Sequence, residues 1–371
     1  MVRSEKMRLT QYFNLPLLSA VVALTVYGVI VVQSATSGMT AGDAMIQRHL
    51  TGVILGLIFL VIAMRFDYRS LHGWLGPLML FNLFLVISPR IPGLGAEAGG
   101  ATAWLQIAGI RLFQPSEPAK LVTIVIMAIV IGRYAGSIDK LKDTVKVFAF
   151  LLVPLAAIML QPDLGTGLVF VAITLGMLMV GGLKPRLFLI IALVGVVAVT
   201  GVLQADLLQD YQKNRLLVFV NPELDPQGAG YNLSQSKIAV GSGGITGNGL
   251  GTGTQGNLNF LPERHTDFIF AVLGEELGFV GAIGLLLLYL LLLLTALNIA
   301  SQSRDLFGTL IAAGIVSMWT FQILQNIGMS IGLMPITGLP LPFMSFGSSF
   351  MIVNFAAVGM LLSIWSRRYG A

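Results

Sequence analysis

The sequence predicts an all-α membrane protein that crosses the bilayer about ten times and carries one large extracytoplasmic loop. Hydrophobic residues make up 56% of the 371 residues and charged residues only 11%, whereas a soluble domain carries about 25% charge. The mean hydropathy is +0.86. Apolar runs close to the ~20 residues that a helical span needs recur along the whole chain.

Ten apolar segments are predicted to span the membrane. They are residues 15–35, 49–64, 72–88, 114–133, 146–160, 164–182, 186–204, 267–299, 306–330 and 343–365. Pro162 separates the fifth segment from the sixth because proline interrupts a helix. We therefore treat residues 1–371 as a single transmembrane domain that includes the loop 205–266.

The distribution of basic residues predicts the orientation. An even number of spans puts both termini on one side of the membrane. If that side is the cytoplasm, 14 of the 22 Lys and Arg residues fall in short cytoplasmic segments and tails, and seven fall outside, four of them in the loop 205–266. An excess of basic residues in short loops marks the cytoplasmic side. The basic start of the chain (Arg3, Lys6, Arg8) precedes a full-length span without a small-residue cleavage site, so we predict no removed signal peptide.

Three predicted outer segments, residues 89–113, 205–266 and 331–342, are longer than a turn. The glycine-rich part of the loop 205–266 predicts tight turns that lie close to another part of the chain, with short helices between them. The chain has no cysteine, no Walker motif and no partner for His265 at zinc-ligand spacing. We therefore predict no disulfide, no ATP hydrolysis and no metal site in the protein. We also predict no nucleic-acid partner.

The fourth span contains an acid and a base three residues apart, Glu117 and Lys120, which share one face of a helix. Pro115 and Pro118 predict that this helix starts at the outer interface, at the depth of lipid headgroups. Two interpretations stay open: an ion pair that fixes packing, or a site in which Lys120 holds an acid or a phosphate and Glu117 tunes it.

The eighth span begins at the most informative stretch, residues 260–278. Asp267 follows Thr266, a predicted helix N-cap, at the outer membrane boundary. At 1.5 Å per residue, Glu275 lies about 12 Å deeper, so we expect Glu275 and Glu276 to hold helix contacts rather than to reach a headgroup. The helix N-terminus favours the charged form of Asp267 and burial opposes it.

Other polar residues have a local explanation and a functional one. Asp163 is predicted to cap the sixth span, and Asn326 to form interhelical hydrogen bonds. The loop cations Arg215, Lys237 and Arg264 indicate either a solvated loop or a site for a phosphate–sugar ligand. Together with Trp104, they are the predicted ligand-binding residues outside the spans.

Seven motifs, in the same order along the chain, resemble the SEDS family (shape, elongation, division and sporulation). The sequences of two stretches, residues 260–267 and 326–329, favour its elongation branch. The motifs are Trp104-Leu105, Phe113–Glu117, Gln161–Thr166, Asp225–Tyr231, Gln235–Gly244, Phe260–Gly278 and Gly338–Phe343. One departure is visible: the family usually has Ser-Tyr-Gly-Gly-Ser where this chain has Ser345-Phe-Gly-Ser-Ser349.

The resemblance implies a ten-helix enzyme of the bacterial inner membrane that polymerises lipid II at the outer leaflet, beside a class B penicillin-binding protein. It assigns the essential acid to Asp267 and supporting roles to Trp104, Glu117 and Lys120. For the leaving pyrophosphate we expect Lys120, Arg215 and Arg264 as cations, in that order. Whether a divalent cation also takes part is left open. The alternatives are a lipid II flippase, which would need polar groups through the midplane, and a non-enzymatic scaffold.

Overall fold

A computed structural model describes residues 13–98, 101–107, 110–134, 138, 140–204, 210–253 and 260–369. The basic residues Arg3, Lys6 and Arg8, and the parts 205–209 and 254–259 of the predicted loop, lie outside the described residues.

The described part of the chain is mostly helical, which confirms the predicted fold class. In chain order its helices are α1 Leu15–Thr36, α2 Gly42–Arg65, α3 Leu75–Ile87, α4 Ser116–Gly132, α5 Leu141–Met159, α6 Leu164–Val180, α7 Pro185–Gln204, α8 Asp210–Val220, α9 Ala229–Ser242, α10 Ile269–Ser301, α11 Leu306–Ser330 and α12 Ser348–Ser366. Each predicted span coincides with one of these helices, and α8 and α9 lie in the predicted outer loop.

Five helices, α1, α2, α10, α11 and α12, are long and apolar enough to cross a membrane. Shorter apolar helices occur in α3, α6 and the first part of α7. Local signals set several helix starts. Asp163 caps α6 by accepting hydrogen bonds from the Thr166 N–H at 3.0 Å and hydroxyl at 2.7 Å, as predicted. α4 starts directly after Pro115, also as predicted.

The segment 89–113 contains a small sheet that is not predicted from the sequence. Its strands, β1 Gly95–Ala98, β2 Ala101–Ile107 and β3 Ile110–Phe113, pair antiparallel in the order β1-β2-β3. Trp104 lies on β2 opposite Ala96 and is half-buried. Strands this short carry too few residues for a period-2 pattern to be visible among the glycines.

The chain divides into two compact units. The first comprises residues 1–62, 214–296 and 319–359, and the second residues 63–213, 297–318 and 360–371. One apolar cluster of the first unit joins α8 and α9 to the start of α10 and the end of α11; its buried members are Val218, Leu233, Ala239, Leu261, Phe268, Ala271, Met329 and Ile336. In the second unit α3, α4, α5 and α6 pack around Val86, Ala119, Leu151, Ala157, Ile158 and Phe170.

α10 is broken at Gly278, where the backbone has φ 62° and ψ −158°, whereas the sequence predicts an uninterrupted span. Residues 243–251 pack their backbone against this break. Four hydrogen bonds join the two segments: from Phe279 N–H to Gly244, from Val280 N–H to Ile245, from Asn248 N–H to Glu275 and from Gly249 N–H to Glu276. A side chain at Gly243 or Gly247 would collide with carbonyl groups of α10. The glycines therefore lie close to another part of the chain, as predicted.

Candidate active site

Asp267 lies in a tight turn that immediately precedes α10 in the first unit. The turn is organised by the carbonyl of Glu263, which accepts hydrogen bonds from the N–H groups of Thr266, Asp267 and Phe268 at 3.1, 3.0 and 3.3 Å. Glu263 itself has φ 50°, a left-handed conformation that is costly for a residue with a side chain. The prediction that Thr266 caps the helix is wrong: α10 starts at Ile269, and the Thr266 hydroxyl donates to the carbonyl of Glu263 instead.

The Asp267 side chain is half-buried between this turn and the segment 331–342. Gly338, with φ 71°, faces it so closely that a β-carbon there would lie 3.2 Å from Asp267 Oδ2 and 3.8 Å from Arg215 Nη1. Arg215 belongs to α8. The first unit thus brings together Asp267, the predicted essential acid, and Arg215, one of the predicted cations, beside a residue without a side chain.

Burial raises the pKa of Asp267 to about 6, and the negative charge of Glu263 adds to this rise, while Arg215 and a hydrogen bond from Thr266 lower the pKa. The sequence does not determine this balance, because the depth of burial is a tertiary property. A carboxylate with a pKa close to 6 is mostly ionised at neutral pH and is more basic than an ordinary Asp. These are the properties of a general base.

Arg264 occupies a different position from the one expected of a ligand-binding cation. Its side chain is 1% exposed, and its Nε donates to the carbonyl of Ala35 at 2.7 Å. Burial lowers the pKa of Arg264, and the charges of Glu276 and Glu275 oppose this effect. This position favours a role in holding the turn onto the end of α1, rather than the predicted contact with a pyrophosphate.

Lys237 projects from α9 in the first unit and is exposed. The stem of its side chain passes Gly332, where a β-carbon would lie 3.0 Å from Lys237 Cδ. The neighbouring Ser236 is fully buried and donates to the carbonyl of Ser330 at 2.8 Å. α9 is thereby fixed to the end of α11 while Lys237 stays accessible to solvent.

The remaining predicted site residues belong to the second unit. Lys120 Nζ lies 2.8 Å from the Glu117 carboxylate, and the two side chains are 1% and 4% exposed. The prediction that the two residues share one helix face is confirmed, and they form a buried ion pair. Trp104, on β2, is half-buried. Whether Lys120 also serves a substrate stays a prediction.

Glu276 has a structural partner that the sequence does not reveal. Its Oε1 accepts a hydrogen bond from the Ser34 hydroxyl at 2.7 Å and from the Gly251 N–H at 3.2 Å. The carboxylate therefore joins α1 to the glycine-rich segment beside the break in α10. The expectation that Glu276 holds contacts inside the membrane protein is supported by these bonds.

Comparison with known proteins identifies the family. The model of the cell cycle proteins FtsW, RodA and SpoVE matches residues 15–369. The chain belongs to this family. It is the SEDS family that the seven sequence motifs indicate, and membership together with the apolar helices makes the chain a multi-pass protein of the bacterial inner membrane.

Two relatives illustrate the similarity within the family. The chain is 40% identical over 352 residues to the peptidoglycan glycosyltransferase MrdB of Escherichia coli K12, and the match covers 95% of this chain and 93% of MrdB. It is 38% identical over 370 residues to the probable peptidoglycan glycosyltransferase FtsW of Trichlorobacter lovleyi, with 96% and 94% covered. Both branches of the family are therefore represented among similar sequences.

Solved structures of the family have the same fold. A chain from a peptidoglycan synthase complex, described as coordinating polymerization and crosslinking, is 30% identical and superposes with a TM-score of 0.80, covering 97% of this chain and 99% of that one. The rod shape determining protein RodA of Thermus thermophilus is 28% identical with a TM-score of 0.71, covering 97% and 98%.

The segment Ser345–Ser349, whose sequence differs from the usual family motif, lies close to the Asp267 turn. Phe346, in place of the usual Tyr, has its ring 5.2 Å from that of His265 and 6.0 Å from that of His49. Its N–H donates to the carbonyl of His265 at 2.9 Å. The aromatic ring thus packs between two imidazoles, and the backbone contact to the Asp267 turn does not depend on a hydroxyl at position 346.

Proposed function

We propose that this protein is a peptidoglycan glycosyltransferase that polymerises lipid II into glycan strands at the outer leaflet of the inner membrane. The observation that carries the proposal is the carboxylate of Asp267, which combines a pKa of about 6 with a position beside Gly338 and Arg215. The names of the relatives support the reaction class. The sequences of residues 260–267 and 326–329, which resemble the elongation branch of the family, support a role in cell elongation and shape maintenance.

In the proposed reaction a sugar hydroxyl attacks the anomeric carbon of a lipid-linked sugar. A new glycosidic C–O bond forms while the C–O bond to the pyrophosphate breaks, and undecaprenyl pyrophosphate leaves as an anion. The hydroxyl proton passes to the Asp267 carboxylate. A positioned base of this kind typically accelerates a reaction by about 10²–10⁴-fold.

The leaving pyrophosphate needs cations. Arg215 is our first candidate because its Nη1 and Asp267 Oδ2 both lie beside Gly338, and the exposed Lys237 of the same unit is the second. For Trp104, Glu117 and Lys120, supporting roles rest on the family resemblance. Arg264 is not proposed as a phosphate ligand because its guanidinium is buried against the end of α1.

We propose that a class B penicillin-binding protein is the partner that crosslinks the product. The support is the family resemblance together with the similar chain found in a peptidoglycan synthase complex. The charge distribution supports an orientation in which both termini are cytoplasmic and residues 205–266 lie outside.

The test compares the natural protein with Asp267→Asn, each purified in detergent together with the partner and incubated with lipid II. We expect glycan polymer from the natural protein and about 10²–10⁴-fold less from Asp267→Asn, which preserves size but cannot accept the proton. A flippase would make no polymer but would move lipid II across vesicle membranes. A scaffold would leave any polymerisation to the partner, so that Asp267→Asn would have no effect.

A further inference from the structure

We propose that Asn326 and Ser345 are positioning residues that hold Asp267 in its reactive place by binding the backbone of its turn. This inference rests on the proposed function of Asp267 as the general base. Neither residue has a direct contact with the Asp267 carboxylate among the bonds of the described residues, so each would act through the main chain.

Three successive carbonyl groups of the turn are bound by groups from outside it. The carbonyl of His265 accepts from the Phe346 N–H at 2.9 Å. The carbonyl of Thr266 accepts from the Ser345 hydroxyl at 2.6 Å. The carbonyl of Asp267 accepts from Asn326 Nδ2 at 2.8 Å. Because the acceptors are consecutive peptide units, these bonds fix the direction in which the Asp267 side chain leaves the backbone.

The same two side chains also bind the segment that faces the carboxylate. Asn326 Nδ2 donates to the carbonyl of Leu339 at 2.7 Å, next to Gly338. Ser345 Oγ accepts from the Leu341 N–H at 2.8 Å. Each side chain therefore binds both the Asp267 turn and the segment that contains Gly338. These bonds set the distance between Gly338 and the Asp267 carboxylate.

The turn needs such bonds because its own conformation is unfavourable. Glu263 has φ 50°, and a residue with a side chain stays in this unfavourable region only where the surrounding structure holds it there. Asn326 and Ser345 are both 0% exposed, so neither can contact a substrate from solvent. A displacement of about 1 Å at a reacting group costs about 10²-fold in rate.

A merely structural role would also lower stability, so the test needs matched controls. Thr25→Val removes a buried hydroxyl that donates to a main-chain carbonyl of α1, at 2.8 Å, in the same unit. Asn354→Leu removes a buried amide that accepts from Trp319 Nε1 at 2.7 Å and donates to the Phe350 carbonyl at 2.8 Å. None of these three bonds involves residues 263–267 or 338–341.

The experiment measures lipid II polymerisation by purified Ser345→Ala, Ser345→Thr, Asn326→Leu and the two controls, over a range of lipid II concentrations and pH values, with a thermal melt of each variant. We expect Ser345→Ala and Asn326→Leu to lower kcat at least tenfold while KM changes by less than twofold. The acid limb of their pH–rate profile should move to lower pH, because a loosened Asp267 carboxylate becomes hydrated and its pKa falls. Ser345→Thr, which keeps the hydroxyl, recovers most of kcat.

The controls should lose thermal stability but keep kcat and the position of the acid limb. Equal kcat and equal acid limbs in the test variants and the controls would overturn the positioning role. If Asn326→Leu does not fold, Ser345→Ala decides, since it removes a single hydroxyl. Normal polymerisation by Asp267→Asn would instead overturn the proposed base, so the two failures are distinguishable.

Discussion

Gly338→Ala should reduce the rate of polymerisation more than it reduces stability. The new methyl group would lie 3.2 Å from Asp267 Oδ2, whereas comfortable contact begins near ~3.5 Å, so the carboxylate must move by about 0.3 Å. If the logarithm of the rate follows displacement, with about 10²-fold lost per 1 Å, this movement alone costs about fourfold. The loss approaches ~10²-fold if the methyl group also excludes the incoming hydroxyl.

The same substitution also strains the backbone, and this effect must be separated from the contact. Gly338 has φ 71°, a conformation that costs a residue with a side chain roughly 1–2 kcal/mol. Gly251→Ala is the matched control: its φ is 75°, in the same unit, but a β-carbon there meets nothing within 4 Å. Both variants should melt at similar temperatures. If Gly338→Ala also polymerises lipid II as fast as Gly251→Ala, the assigned position of Asp267 is wrong.

Three further predictions concern pH, the buried ion pair and the topology. Polymerisation should fall about tenfold per pH unit below the Asp267 pKa of about 6, because only the ionised form accepts a proton. Glu263→Gln removes a charge that raises this pKa and should therefore move the acid limb of the pH–rate profile to lower pH. An acid limb that does not move in Glu263→Gln would contradict the assignment of Asp267 as the base. Lys120→Met should destabilise the protein by roughly 3–5 kcal/mol, because it leaves Glu117 buried without its partner. The double variant Glu117→Gln/Lys120→Met should restore stability. If the double variant also restores activity, the role of the pair is purely structural. The chain has no cysteine, and positions 227 and 369 are both exposed. An impermeant maleimide should therefore label Gln227→Cys but not Tyr369→Cys in intact spheroplasts. The reverse pattern would refute cytoplasmic termini.

The positions of the helices were predictable because their signals are local. Apolar length defines the segments, and nearby residues define several ends: Asp163 caps α6 with its own carboxylate, and Pro115 directly precedes α4. The Glu117–Lys120 pair was predictable for the same reason, since both partners lie on one turn of one helix.

The surroundings of Asp267 were only partly predictable, because they depend on contacts between distant residues. Gly338 and Arg215 are 71 and 52 positions away from Asp267 in the chain, and no period in the sequence relates them. The polar side chain of Asn326 predicts a hydrogen bond to another helix, but its observed acceptors are the main-chain carbonyls of Asp267 and Leu339. The family motifs mark most of these residues without stating which of them meet.

A carboxylate inside or beside a membrane helix is costly and therefore indicates a role, but the cost alone does not distinguish catalysis from structure. Glu276 and Asp267 belong to the same stretch and differ in what surrounds them. The Glu276 carboxylate accepts bonds from Ser34 and Gly251 and so holds the glycine-rich segment at the break in α10. Beside the Asp267 carboxylate is a residue without a side chain, Gly338, while the main chain of Asp267, rather than its side chain, is bound by Asn326. The Asp267 carboxylate is thus positioned through its backbone and lies half-exposed beside a glycine, and this is why we assign the chemistry to Asp267 and not to Glu276.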